Sequence, residues 1–174
     1  MPRVAAAVAF VLASTSAWGQ AAPDIRGVWR PVSRTIPATT NPGERSDPFA
    51  HVPAGVQTNL QPGLLIFTAR HYSRTTDTAT SPRPATPDAV PGSPSLDELR
   101  ARWGPFQANA GTYELSGNTL TLRIVVSKNP AEQQAGGFAR IAVKLERDRL
   151  WLTPIENTAG RIGAGVTTEY VRVE

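Results

Sequence analysis

The chain has 174 residues, a net charge of +4 and no cysteine. Its length suits one domain better than two. The missing cysteine excludes a disulfide framework, a thiolate nucleophile and a cysteine metal site, and the positive charge comes from scattered arginines, not from a basic run suited to a nucleic-acid backbone.

The N-terminus opens with Arg3, an apolar run over residues 4–13 and a small, polar stretch over 14–19. Ala17 and Gly19 stand at positions −3 and −1 of a cut before Gln20. This anatomy predicts a secretory signal peptide over residues 1–19 and export to the periplasm or the medium. No stretch reaches the ~18 apolar residues of a membrane helix. A soluble protein without membrane insertion is expected, its residues 20–174 forming one domain.

Residues 25–34 (IRGVWRPVSR) read as the first strand, with Gly27 and Trp29 on one side and Pro31 arguing for an edge or a bend. Residues 35–62 carry proline and glycine too often for a regular element and read as a long loop, a lid or a rim. His51 lies in it and is assigned no role. Residues 63–68 (GLLIFT) and 71–76 (HYSRTT) form a short strand pair. A second proline-rich connection covers residues 77–94.

Ser95 opens the predicted helix, where Ser95-Leu96-Asp97-Glu98 fits a capping box. Leu96, Leu99, Trp103 and Phe106 make a single apolar stripe, read as a cover over a sheet, and Gly104-Pro105 should end or kink the helix. Residues 111–126 (GTYELSGNTLTLRIVV) give the clearest pattern in the chain. Tyr113 and Leu115 alternate with polar residues, Ser116-Gly117-Asn118 turns, and Leu120, Leu122, Ile124 and Val126 continue the apolar face. This is a hairpin with one face on a core and one in water. Glu114, Arg123 and Lys144 share the outer face, in positions for cross-strand charge pairs.

Residues 138–146 and 149–153 make another hairpin around Arg147-Asp148, and residues 164–173 make the last strand. The expected fold is all-β: an eight-stranded antiparallel up-and-down barrel with one short accessory helix, closed so that no edge is exposed.

GVWR at Gly27 to Arg30, GLLIFT from Gly63, HYS from His71 and AGTYEL from Ala110 form an ordered set that resembles the bacterial lipocalin-like domain family, within the lipocalin-type (calycin) barrels. The likeness covers most of residues 25–173. It implies a lipocalin-like barrel in which a late arginine, here Arg172, packs across the first-strand tryptophan. Gly27, Trp29 and Arg172 would then form the closed barrel end. The proline-rich loops depart from the family pattern, and the family implies no common reaction.

An eight-stranded barrel is wide enough to be filled by side chains or to hold one small ligand. The expected wall residues are Phe67, His71, Tyr113, Leu122, Ile124 and Val143, with Ser33, His71 and Tyr113 as polar handles. The leading expectation is a monomer that binds a small hydrophobic molecule inside the barrel, without cofactor or metal. One alternative is an isomerase or cyclase using the barrel as an apolar chamber, with His71 or Tyr113 as acid/base. Another is an envelope interaction protein with a filled barrel.

Overall fold

The computed structural model describes residues 23–38, 53–83, 94–134 and 136–174. The expected signal peptide and His51 lie outside the described residues. The strands in chain order are β1 (Gly27–Ile36), β2 (Gly55–Gln57), β3 (Gly63–Phe67), β4 (His71–Asp77), β5 (Phe106–Ser116), β6 (Thr119–Ser127), β7 (Phe138–Glu146), β8 (Arg149–Asn157), β9 (Gly160–Arg161) and β10 (Thr167–Arg172). Helix α1 (Leu96–Trp103) precedes β5, and a 3-10 turn covers Pro130–Gln133.

The pairing order β1-β3-β4-β5-β6-β7-β8-β10 is antiparallel throughout, and β10 also pairs with β1. This closes an eight-stranded barrel. β2 and β9 stand outside the closed ring, on β1 and β8. Closure leaves no long unpaired edge to recruit another chain.

Because the strands run up and down, the connections sort to two ends. The tight turns between β3 and β4, β5 and β6, and β7 and β8 lie at one end with residues 24–26 and the C-terminal Glu174. Gly117 and Arg147 take the positive φ values (54° and 53°) that let two of these turns close. The strand ends Ile36, Gly63, Asp77, Phe106, Ser127, Phe138, Asn157 and Thr167 lie at the opposite end, the mouth. Most of the two proline-rich loops expected to form a rim lies outside the described residues.

The core cluster fills the barrel: Ile25, Trp29, Leu65, Phe67, Tyr72, Leu120, Leu122, Ile141, Val143, Leu150, Leu152 and Tyr170 are buried together. Most of these positions alternate along their strands, as a half-buried sheet requires. A second, small cluster of Ile36 and Val166 lies near the mouth.

Three irregularities change which side chains face inward. In β1 the register with β10 shifts between Pro31 and Ser33, so the buried positions pass from Trp29 and Pro31 to Arg34 and Ile36. In the central hairpin it shifts between Ala110 and Gly111, leaving Val125 without a direct partner. Beyond that bulge Val126 faces out and is 55% exposed, which corrects its place on the expected apolar face. A third shift separates Arg140 from Ile141 and leaves Ile155 on β8 without a direct partner and exposed.

Two element readings are corrected. Phe106 begins β5, paired with Asp77, and does not extend the helical stripe; Pro105 has already ended the helix. Nor does α1 cover the sheet. None of its residues is buried, and Leu96, Leu99 and Trp103 are exposed. Its capping box is formed as expected: the Glu98 backbone donates to the Ser95 hydroxyl, and the Ser95 backbone donates to Glu98 Oε2. Lys128 Nζ donates to the carbonyls of Trp103, Gly104 and Phe106, tying the helix end to the rim.

Candidate ligand-binding site

The closed end is built on Trp29, which is fully buried and donates Nε1–H to the Ile25 carbonyl at 2.8 Å. Trp29 and Arg172 are register partners on β1 and β10, and the guanidinium lies 4.2 Å from the ring centroid. Its nitrogens donate to the Arg26 and Asp24 carbonyls, which pulls residues 24–26 beneath the barrel. Gly27, at φ 129°, permits that approach, since a Cβ there would meet the Glu174 carbonyl at 2.4 Å. The three residues expected at the barrel end are therefore in contact.

Tyr113 belongs to the same end. Its hydroxyl donates to the Thr68 carbonyl at 2.7 Å and its ring meets Phe67 edge-on at 5.0 Å. It staples the β3–β4 turn and is not a handle in a cavity. Phe67, Leu122 and Val143 are buried in the packed core, and Ile124 is half-buried. His71 is exposed while its neighbour Tyr72 takes the inward position. It is thereby corrected as a wall residue and as an acid/base group facing the interior. Ser33 is corrected likewise: it sits at the β1 bulge and donates to Glu169 at 2.8 Å. The Glu169 carboxyl is lowered by that bond and then by Arg149.

The mouth half is different in character. On β4 the inward face runs Tyr72, Arg74, Thr76, and on β5 Asn109 stands opposite Arg74. Across the barrel β1 contributes Arg34 and β10 contributes Tyr170, both buried. Arg34 Nη2 donates to Thr76 Oγ1 at 3.0 Å and to the Asp77 carbonyl at 3.3 Å. Burial lowers the Arg34 guanidinium, with Tyr170 and Asp77 acting against that shift and Arg74 adding to it. Two guanidinium groups thus share one end of the barrel.

Acidic groups define the rest. Glu132, on the 3-10 turn, accepts from Asn109 Nδ2 at 3.2 Å and from Ser127 Oγ at 2.7 Å. Asp77 pairs with Arg83, whose Nη1 also donates to the Arg102 carbonyl at 2.7 Å. Burial pushes the Tyr72 hydroxyl up to about 12, so it keeps its proton at neutral pH. Tyr170 is raised for the same reason.

Three atoms in this cluster are buried and lack a hydrogen-bond partner among the described residues: Tyr72 Oη, Arg74 Nε and Asn109 Oδ1. Each such group costs about 1–3 kcal/mol relative to a satisfied one. A cavity of about 240 Å3 opens at the mouth against Arg34, with Gln57, Thr58, Asn59, Leu60, Ala79 and Thr80 on its walls. A larger concavity, about 590 Å3, is an open depression against four consecutive residues, Glu146 to Arg149, and lies at the wrong end. The mouth cavity is the one that adjoins a buried polar side chain, that of Arg34.

Parity could have found part of this cluster. Once Tyr72 is placed inward, Arg74 and Thr76 follow on the same face. Arg34 was not legible, because Pro31 signals an edge or a bend but not which residues beyond it turn inward.

The fold defines a class, a closed eight-stranded antiparallel barrel with a packed closed half and a polar mouth half. Compared with protein-family models and with curated proteins, the chain matches none.

Proposed function

We propose that this protein is an exported, monomeric lipocalin-like barrel that binds a small, largely hydrophobic molecule without covalent chemistry, seated in the mouth half. One observation carries the reading: buried polar atoms on Tyr72, Arg74 and Asn109 with no partner among the described residues, in the half of the barrel where the mouth cavity opens. Binding sites combine apolar walls with a few convergent polar groups of this sort. The Arg172–Trp29 stack supports the lipocalin-like assignment, and the sequence of residues 1–19 supports export. The ligand differs from the first expectation in position: Phe67, Leu122 and Val143 pack on one another below it.

A second reading, an interaction protein with a filled barrel, draws support from the exposed Leu96, Leu99 and Trp103 on α1. Native mass spectrometry on protein purified from its own source, followed by solvent extraction, separates the two. A stoichiometric small molecule is the expected result. An empty protein that also fails to take up a neutral hydrophobic dye would favour the interaction reading.

A further inference from the structure

The barrel wall is not laddered to the same height all round the mouth. β1 leaves β3 beyond Trp29, and β8 leaves β10 beyond Leu152. At those two seams the short strands β2 and β9 carry a backbone ladder on, along β1 to Ile36 and along β8 to Asn157. The seam between β6 and β7 is closed differently. Its last pair is Arg123 with Phe138, while β6 runs on to Ser127, opposite Asn109 of β5. Beside that stretch lies the 3-10 turn Pro130–Gln133, none of whose residues is buried.

Polar bonds hold this turn, not packing. Glu132 accepts from Ser127 Oγ at 2.7 Å and from Asn109 Nδ2 at 3.2 Å, and Gln133 Nε2 donates to the Ser127 carbonyl. One backbone bond crosses the gap, from Ile124 N–H to the Gly137 carbonyl at 3.1 Å. The two feet are fixed: Lys128 Nζ donates to the carbonyls of Trp103, Gly104 and Phe106, and Phe138 N–H donates to Thr158 Oγ1 at 3.0 Å. A segment carried by exposed hydrogen bonds, with few apolar contacts, opens before the rest of a fold. Behind it Asn109, 7% exposed, and Arg74 opposite it on β4 each hold a buried atom without a partner among the described residues. Closure keeps these atoms from water at a cost that opening relieves at Asn109. We propose that Pro130–Gln133 is the gate of the barrel, bolted by Glu132, and that it admits the ligand sideways through the seam between β6 and β7.

This inference rests on the proposed binding function, and the test separates the two. Two readouts are taken on the full chain, freed of any co-purified molecule: amide hydrogen exchange by NMR and the stopped-flow rate of Nile red uptake. In the unsubstituted protein Ile124 should exchange about tenfold or more faster than Leu120 and Leu122, which lie in the part of β6 paired with β7. E132A should speed Ile124 exchange about tenfold again and Nile red uptake by a similar factor, with Leu120 and Leu122 unchanged. S95A, which loosens α1 and touches no bond of the turn, should leave both rates as they are.

Unchanged Ile124 exchange in E132A would overturn the inference. So would faster exchange at an unchanged uptake rate, which would make the turn mobile but not the entrance. Both results, with Nile red still taken up, leave the binding function standing. Failure of either protein to take up the dye would remove the binding function and the gate with it. If E132A does not fold, the unsubstituted protein decides: equal protection of Ile124 and Leu122 would overturn the gate.

Discussion

At the scale of single residues, Trp29 and Gly111 show how closely the barrel is fitted. The Trp29 indole is fully buried, capped by Arg172 and bonded to Ile25. Trp29→Ala should cost about 3–5 kcal/mol, read as a lower midpoint in denaturant unfolding. Gly111 sits beside the β5–β6 bulge, where a Cβ would lie 1.9 Å from the Arg123 carbonyl oxygen. That atom is backbone and cannot swing aside, so Gly111→Ala should destabilise by at least about 1–3 kcal/mol in the same measurement. His71 gives the contrast. Exposed at a turn, it should tolerate replacement by alanine within about 0.5 kcal/mol. Its appeal in the sequence was chemical, as an acid/base side chain, and strand parity outweighs that appeal.

At the scale of elements, the helix and the strands behave differently. Helix α1 has a complete capping box, yet buries none of its residues. Ser95→Ala should therefore cost about 1 kcal/mol of local helix stability while global unfolding stays unchanged. Hydrogen exchange would show faster exchange of amides in α1 and unaltered protection in β5 and β6. The apolar stripe at i, i+3 and i+7 was legible, but a stripe does not say which surface receives it. The strands were legible where alternation was unbroken, as in β7, whose observed bounds Phe138–Glu146 match those read from the sequence. They were not where a bulge intervened: Val126 was read inward and faces out. One extra residue reverses every side chain beyond it.

At the scale of the whole molecule, placing two tyrosines inside the barrel links stability to alkaline pH. Burial raises Tyr72 to about 12 and also raises Tyr170, while in the unfolded chain both titrate near 10. A group raised on folding contributes stability that is fully present below its unfolded value and is lost as pH rises through the folded one. Denaturant unfolding across pH should therefore show stability falling between about pH 10 and 12, with tyrosinate absorbance appearing together with unfolding. Tyr72→Phe removes a buried hydroxyl that has no partner among the described residues, so in the empty protein it should be neutral or stabilising and should reduce the alkaline loss. The cluster would then be retained at some cost to stability, as expected of groups that serve a ligand.

The sequence by itself determined the succession of antiparallel hairpins, the turns at Gly117-Asn118 and Arg147-Asp148, and the capping box at Ser95, because each follows from contacts between near neighbours along the chain. Trp29 and Arg172 are partners across β1 and β10, a long-range contact that no local pattern specifies. Only the tertiary structure decided what the barrel contains. The inward turn of Arg34 depends on a bulge in β1, and its gathering at one end with Arg74, Asn109 and Tyr170 depends on the curling of the whole sheet into a ring. Those four side chains come from four strands spread over more than a hundred residues, and ring closure, which brings them to one end, is a property of the whole sheet and of no segment within it.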